Sequence, residues 1–87
     1  MSDDIKGFKE LLDRAELTIV EAAHLFKTSR PTIYSWRAGH QPRHQLIKIG
    51  VRQMMKIIQA AVGARRLPLS GVKQEDRLSE IMRALKG

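Results

Sequence analysis

The sequence predicts an all-α protein, a compact bundle of about five helices in one domain. Three observations carry this. Apolar residues recur at helical spacing in the opening, middle and closing segments of the chain. Two strong helix starts stand between them, a T-x-x-E capping box at Thr18 and Glu21 and a serine cap at Ser29 with Pro31 in the turn after it. Turn-forming clusters at Gly39–His44 and around Pro68 then separate the segments. At 87 residues the chain holds one modest core, so oligomerisation would add to its stability.

Ser2 to Ala15 reads as the first helix. Ile5, Phe8, Leu11, Leu12 and Ala15 fall on one face, Ser2 or Asp3 caps it, and acidic residues occupy its first turn. Gly7 inside it costs about 1 kcal/mol relative to alanine. The second helix begins at about Ile19. Val20, Ala22, Ala23, Leu25 and Phe26 give it a broad apolar face, in which small Ala23 suits a close helix crossing. Lys27 and Thr28 break that pattern, and a third helix runs from Ser29 to Gly39, a residue suited to the left-handed position past a helix end.

The third helix has two distinct sides. At about 100° per residue, Ile33 and Trp36 share one side and should be buried with Ala23 as the core of the pair. Pro31, Tyr34, Ser35 and Ala38 lie roughly opposite, with Arg30 and Arg37 on the flanks. The exposed side is short-chained, polar and rimmed by guanidinium groups. Such a helix fits a DNA major groove.

After the break at His40–His44, a long apolar segment predicts a helix from about Arg43 to Ala64, with a possible bend near Gly50. Leu46, Ile47, Ile49, Val51, Met54, Met55, Ile57, Ile58, Ala61 and Val62 form a wide stripe, which marks this helix as the central hydrophobic element. Lys48, Arg52, Lys56 and Gln59 form its narrow wet strip. Residues 65–72 read as a linker. The last helix, about Lys73 to Lys86, carries Leu78, Ile81, Met82 and Leu85 at i, i+3, i+4 and i+7, a face that packs either on its own domain or on a second copy.

The net charge is +7, and its distribution says more than its size. Between Glu21 and Glu75 no acidic residue occurs, while Lys27, Arg30, Arg37, Arg43, Lys48, Arg52, Lys56, Arg65, Arg66 and Lys73 fill the interval. A solubilising surface mixes both signs. This segregation favours a polyanionic partner.

The stretch LTIVEAAHLFKTSRPTIYSWRAG, Leu17 to Gly39, resembles the helix-turn-helix of the lambda repressor and Cro family, also called the xenobiotic-response-element family. The resemblance covers about a quarter of the chain, and the Thr18–Glu21 box, Ala23, Ser29, Ile33, Trp36 and Gly39 fall where the family places theirs. Three positions differ. Ile19 stands where the family often has a phosphate-binding glutamine. Lys27 stands where a glycine commonly supplies positive φ, at about 1 kcal/mol of backbone strain. Pro31 stands where a base-reading side chain is common, so readout must come from its neighbours.

The resemblance implies one helix-turn-helix domain over 1–87, with the motif at 18–39, that binds double-stranded DNA as a homodimer and acts as a Cro-like transcriptional repressor on an inverted-repeat operator. On that reading Ser29, Arg30, Tyr34 and Ser35 face base edges, and Lys27, Thr28, Thr32, Arg37 and Arg43 hold phosphates. Other tasks for the same fold are an antitoxin or a replication or packaging accessory protein. From a different class, the helix pair could serve as a protein-interaction module.

Catalysis is not expected. There is no cysteine, and His24, His40 and His44 lack a completing ligand set, so no metal and no cofactor are expected. No separate ligand domain is present, which argues against a small-molecule ligand. No apolar run is long enough to span a bilayer, and Met-Ser-Asp-Asp is neither a signal nor a transit sequence, so the expected location is the cytoplasm, on the nucleoid.

Overall fold

Side-chain caps at Thr18, Ser29 and His44 start helices, and backbone hydrogen bonds close the first four. A computed structural model describes residues 5–86. Five helices follow in order: α1 (Phe8–Arg14), α2 (Ile19–Leu25), α3 (Arg30–Arg37), α4 (Gln45–Gly63) and α5 (Arg77–Lys86), the last preceded by a 3-10 turn at Gln74–Asp76. Among the described residues there is no strand.

The starts of α2 and α3 are those expected. Thr18 Oγ1 accepts the Glu21 N–H at 3.1 Å, and Glu21 Oε1 accepts the Thr18 N–H at 3.0 Å, closing the capping box. Ser29 Oγ accepts the Thr32 N–H at 3.3 Å. Pro31 occupies the first turn of α3, where its missing N–H leaves no bond unmade.

One device ends the first four helices. After α3, the Gly39 N–H reaches the Trp36 carbonyl and the His40 N–H reaches back to Ser35, with Gly39 at φ 106°. This is the Schellman arrangement, which satisfies carbonyls that the helix leaves unpaired. The same pair of bonds follows α1, α2 and α4, with Glu16, Lys27 and Arg65 at φ 53°, 54° and 63° in the left-handed position. Lys27 thus takes the positive φ that its place in the turn demanded.

The start of α1 differs from expectation. Gly7 is not inside the helix but before it, at φ 85°, a conformation open to glycine without strain, and α1 begins at Phe8. The expected caps Ser2 and Asp3 lie outside the described residues. Ile5 is nonetheless buried, and its N–H donates to Gln41 Oε1 at 2.9 Å, tying the incoming chain to the loop after α3.

A single core joins all five helices. Phe8 and Leu12 of α1, Ile33 of α3, Ile58 of α4 and Ile81 of α5 are its largest fully buried side chains. Small Ala22 and Ala23 line α2 where α3 packs, as expected for a close crossing. Phe8, Phe26 and Trp36 meet edge to face, with ring centroids 5.2 to 6.3 Å apart. Trp36 is therefore a core residue.

The C-terminal half revises several expectations, among them the start of the last helix, which is Arg77 rather than about Lys73 because Gln74–Asp76 forms a 3-10 turn. α4 is shorter than the predicted Arg43–Ala64 span and runs unbroken through Gly50. It is central only along Val51, Met55, Ile58 and Ala61. Leu46, Ile47, Ile49 and Ile57 are exposed, because the other helices cover one side of α4 and its apolar stripe is wider than that side. Residues 65–72 are more than a tether: Leu67 is buried and Leu69 half-buried against the core. α5 packs on its own domain through Ile81, with Leu78 and Leu85 half-buried and Met82 exposed.

Candidate functional site

Burial of Ile33 and Trp36 turns the opposite side of α3 outward. Arg30, Pro31 and Tyr34 are exposed and Ser35 is half-exposed, so Arg30, Tyr34 and Ser35 are presented together from a helix whose inward side is locked in the core. Tyr34, 60% exposed, is the largest side chain on that surface. Ser29 is exposed as well, but its hydroxyl is mostly engaged. It accepts the Thr32 N–H and shares a 2.9 Å hydrogen bond with the Thr32 hydroxyl, which leaves room for one further bond.

The predicted phosphate-holding residues divide into two sets. Lys27, Thr28, Thr32 and Arg43 come together around a groove of about 700 Å³ between the α2–α3 turn and the start of α4. Gln41 joins their polar rim, and Leu25, Trp36, Ile47 and Met54 supply apolar lining. Arg37 is not at this groove. Its Nη2 donates to Asp13 Oδ1 of α1 at 3.2 Å, so its charge is already partly compensated within the protein. That guanidinium, with Lys9 beside it, holds the Asp13 carboxyl below its ordinary pKa. Lys27, Arg30 and Arg43 carry no ion pair among the described residues, and their charge is available to an anion.

A second, shallower depression of about 390 Å³ runs beside the start of α3, where Val20 and His24 of α2 meet Ser29, Arg30 and Pro31. Val20, expected on the buried apolar face of α2, is instead 49% exposed, and His24, weighed in the sequence only as a metal ligand, is exposed beside it. Their spacing of four on α2 was the available signal, since it places both on one edge of that helix. Gln41 was also missed, and here no local signal existed, because its partner Ile5 is far away in the chain.

The remaining histidines have structural or solvent roles. His44 Nδ1 accepts the Leu46 N–H at 3.2 Å and caps α4, while His40 is exposed. Among the described residues no group of three His, Cys, Asp or Glu side chains is placed to hold a metal ion. No helix among them is long and apolar enough to cross a membrane.

Comparisons of the chain with protein-family models, curated proteins and solved structures give no match.

Proposed function

We propose that the protein is a sequence-specific binder of double-stranded DNA, a Cro-like transcriptional repressor that occupies an inverted-repeat operator as a homodimer. In this reading α2, the turn at Lys27 and Thr28, and α3 act as a helix-turn-helix, and α3 enters the major groove by its N-terminal half. The observation that carries the reading is the surface of α3. Its inward side is fixed by Ile33 and Trp36, its outward side presents Arg30, Tyr34 and Ser35, and Lys27 and Arg43, without an ion pair among the described residues, line the groove beside it at Thr32.

The roles follow from chemistry. Arg30 is placed to donate two hydrogen bonds to the acceptor edge of a guanine, worth roughly 1–3 kcal/mol of discrimination. Tyr34 and Ser35 offer hydroxyls and, in Tyr34, an apolar ring edge to neighbouring bases. Lys27, Arg43, Thr28 and Thr32 hold phosphates and fix the register. Arg37 joins them by exchanging Asp13 for a phosphate, a weaker contribution. One motif of this size reads few base pairs, so two copies on half-sites about 34–36 Å apart supply the specificity.

Titration of a labelled random-sequence duplex with the purified protein at several salt concentrations tests the electrostatic part. Affinity should fall with salt, with a log–log slope of about 0.9 for each phosphate neutralised. Binding that ignores salt, or no binding, would overturn the reading.

A further inference from the structure

The outward side of α4 is the least expected feature of the molecule. Leu46, Ile49, Gln53, Ile57 and Ala60 all face solvent, and none is charged. At about 100° per residue they fall within an arc of roughly 80°, directly opposite the buried side made by Val51, Met55 and Ile58. Leu46 is 71% exposed, Ile49 41% and Ile57 42%. The stripe continues onto α5, where Met82 lines the same surface groove as Ile57. With Met82, half exposed, these side chains form a continued apolar strip, and contiguous exposed apolar surface of this kind marks an interaction site.

We infer that this stripe is the contact between two copies of the chain, with the two α4 helices antiparallel and crossing at Gln53. The argument is the order of the residues. A two-fold contact brings a surface against itself, so that each residue i meets a fixed partner j and j meets i. The steps along the stripe are three, four, four and three residues, and this series reads the same in both directions. Reversing α4 about Gln53 sets Leu46 against Ala60, Ile49 against Ile57, and Gln53 against its own copy. Leu46, the most exposed of the large apolar side chains, meets small Ala60, the two isoleucine layers stack, and two glutamine amides meet at the axis. Each of those amides carries a donor and an acceptor, so the pair closes reciprocally, and a single polar layer of this kind fixes register.

No charge lies within the stripe, but Arg52 and Lys56 lie along one flank. An antiparallel pair gathers these cations from both copies on one rim, so the dimer should tighten as added salt screens them. An ordinary stable interface buries roughly 800 Å² per partner, so the stripe supplies the apolar centre of such a contact and its polar surroundings must complete the rim. In an antiparallel pair the two-fold axis runs perpendicular to both helices, so each flank meets the same flank of the partner. The groove lined by Lys27, Thr32 and Arg43 then opens on the same side of the dimer in both copies. That consequence serves an inverted repeat and rests on the DNA-binding reading; the interface itself does not.

The test uses the full chain without DNA. Sedimentation equilibrium over a range of concentrations should show a monomer–dimer system. Ile49→Lys and Ile57→Lys should each raise the dissociation constant at least 100-fold, with helical content and unfolding midpoint of the monomer unchanged, since neither side chain supports the core. The double variant Ile49→Lys with Ile57→Glu should restore dimerisation, because only the antiparallel register brings residue 49 of one copy beside residue 57 of the other. Gln53→Cys, the sole cysteine in such a chain, should cross-link with itself on mild oxidation. A chain that stays monomeric at all concentrations, a dimer indifferent to both lysine substitutions, or a failed charge-pair rescue would overturn the proposal. Because no step involves DNA, failure here leaves the DNA titration to be judged separately.

Discussion

Arg77, the first residue of α5, grips Glu21 of α2 with two prongs, Nε to Oε2 at 2.7 Å and Nη2 to Oε1 at 3.2 Å. Glu21 is also the acidic half of the capping box, so one buried carboxylate starts α2 and anchors α5. Arg77 Nη2 further donates to the Glu16 carbonyl at 2.9 Å, and Arg66 Nε donates to the Ala84 carbonyl at 2.7 Å near the other end of α5. These cationic clamps and Ile81 hold the last helix on its own domain, which leaves α4 rather than α5 as the larger exposed apolar face.

Removing one prong bearer should therefore loosen α5 without touching α3. Arg77→Ala should cost about 1.5–3 kcal/mol, the range for hydrogen bonds to a charged group whose partner stays buried. Urea unfolding measures the loss, and amide hydrogen exchange should show faster opening of α5 than of α3. Affinity for a duplex should change little.

The same pair gives an acid limb to stability. Burial pushes the Glu21 carboxyl up, but the Arg77 and Thr18 hydrogen bonds outweigh it and hold its pKa below the ordinary 4.5. Just below pH 4.5 the unfolded chain then binds more protons than the folded one, so stability falls as pH falls through that window and is fully present above it. Thermal melts between pH 7 and pH 3 should show the decline in the wild type. Glu21→Gln should start lower at pH 7 and show a shallower decline.

Lys27 carries two opposed effects. In Lys27→Gly the strain of φ 54° is relieved, which should stabilise the fold by up to about 1 kcal/mol, while a cation is lost from the groove rim. The variant should melt higher and bind duplex more weakly, with a salt slope reduced by about 0.9 if Lys27 meets one phosphate. Melting and binding measured on the same sample would show the two moving apart.

Arg30 separates reading from holding. Arg30→Ala should leave stability within about 0.5 kcal/mol, since the side chain is exposed and unpaired. It should weaken a preferred duplex by roughly 1–3 kcal/mol and relax the choice of base at one position. Equal weakening on preferred and random duplexes would reassign Arg30 to a phosphate.

What could be read from the sequence was what local backbone chemistry decides. The Thr18–Glu21 box, the Ser29 cap, Pro31, Gly39 and the inward pair Ile33 and Trp36 depend on residues within a turn of one another, and all stand where expected. Gly7 misled because a glycine between apolar residues at helical spacing looks the same inside a helix as before one. Arg37 read as a phosphate contact and Arg66 and Arg77 only as charge, since their partners Asp13, Ala84 and Glu21 are 24, 18 and 56 residues away. The width of the α4 stripe was visible, but periodicity shows that a face is apolar and not what covers it.

The most direct test of DNA reading by α3 is selection of duplexes from a random pool by the purified wild-type protein, with the enriched sequences titrated against random DNA. An enriched inverted repeat, its half-sites about one helical turn apart and bound far more tightly than random DNA, is the predicted result. Recovery of a pool with no enriched sequence, or no duplex at all, would contradict it.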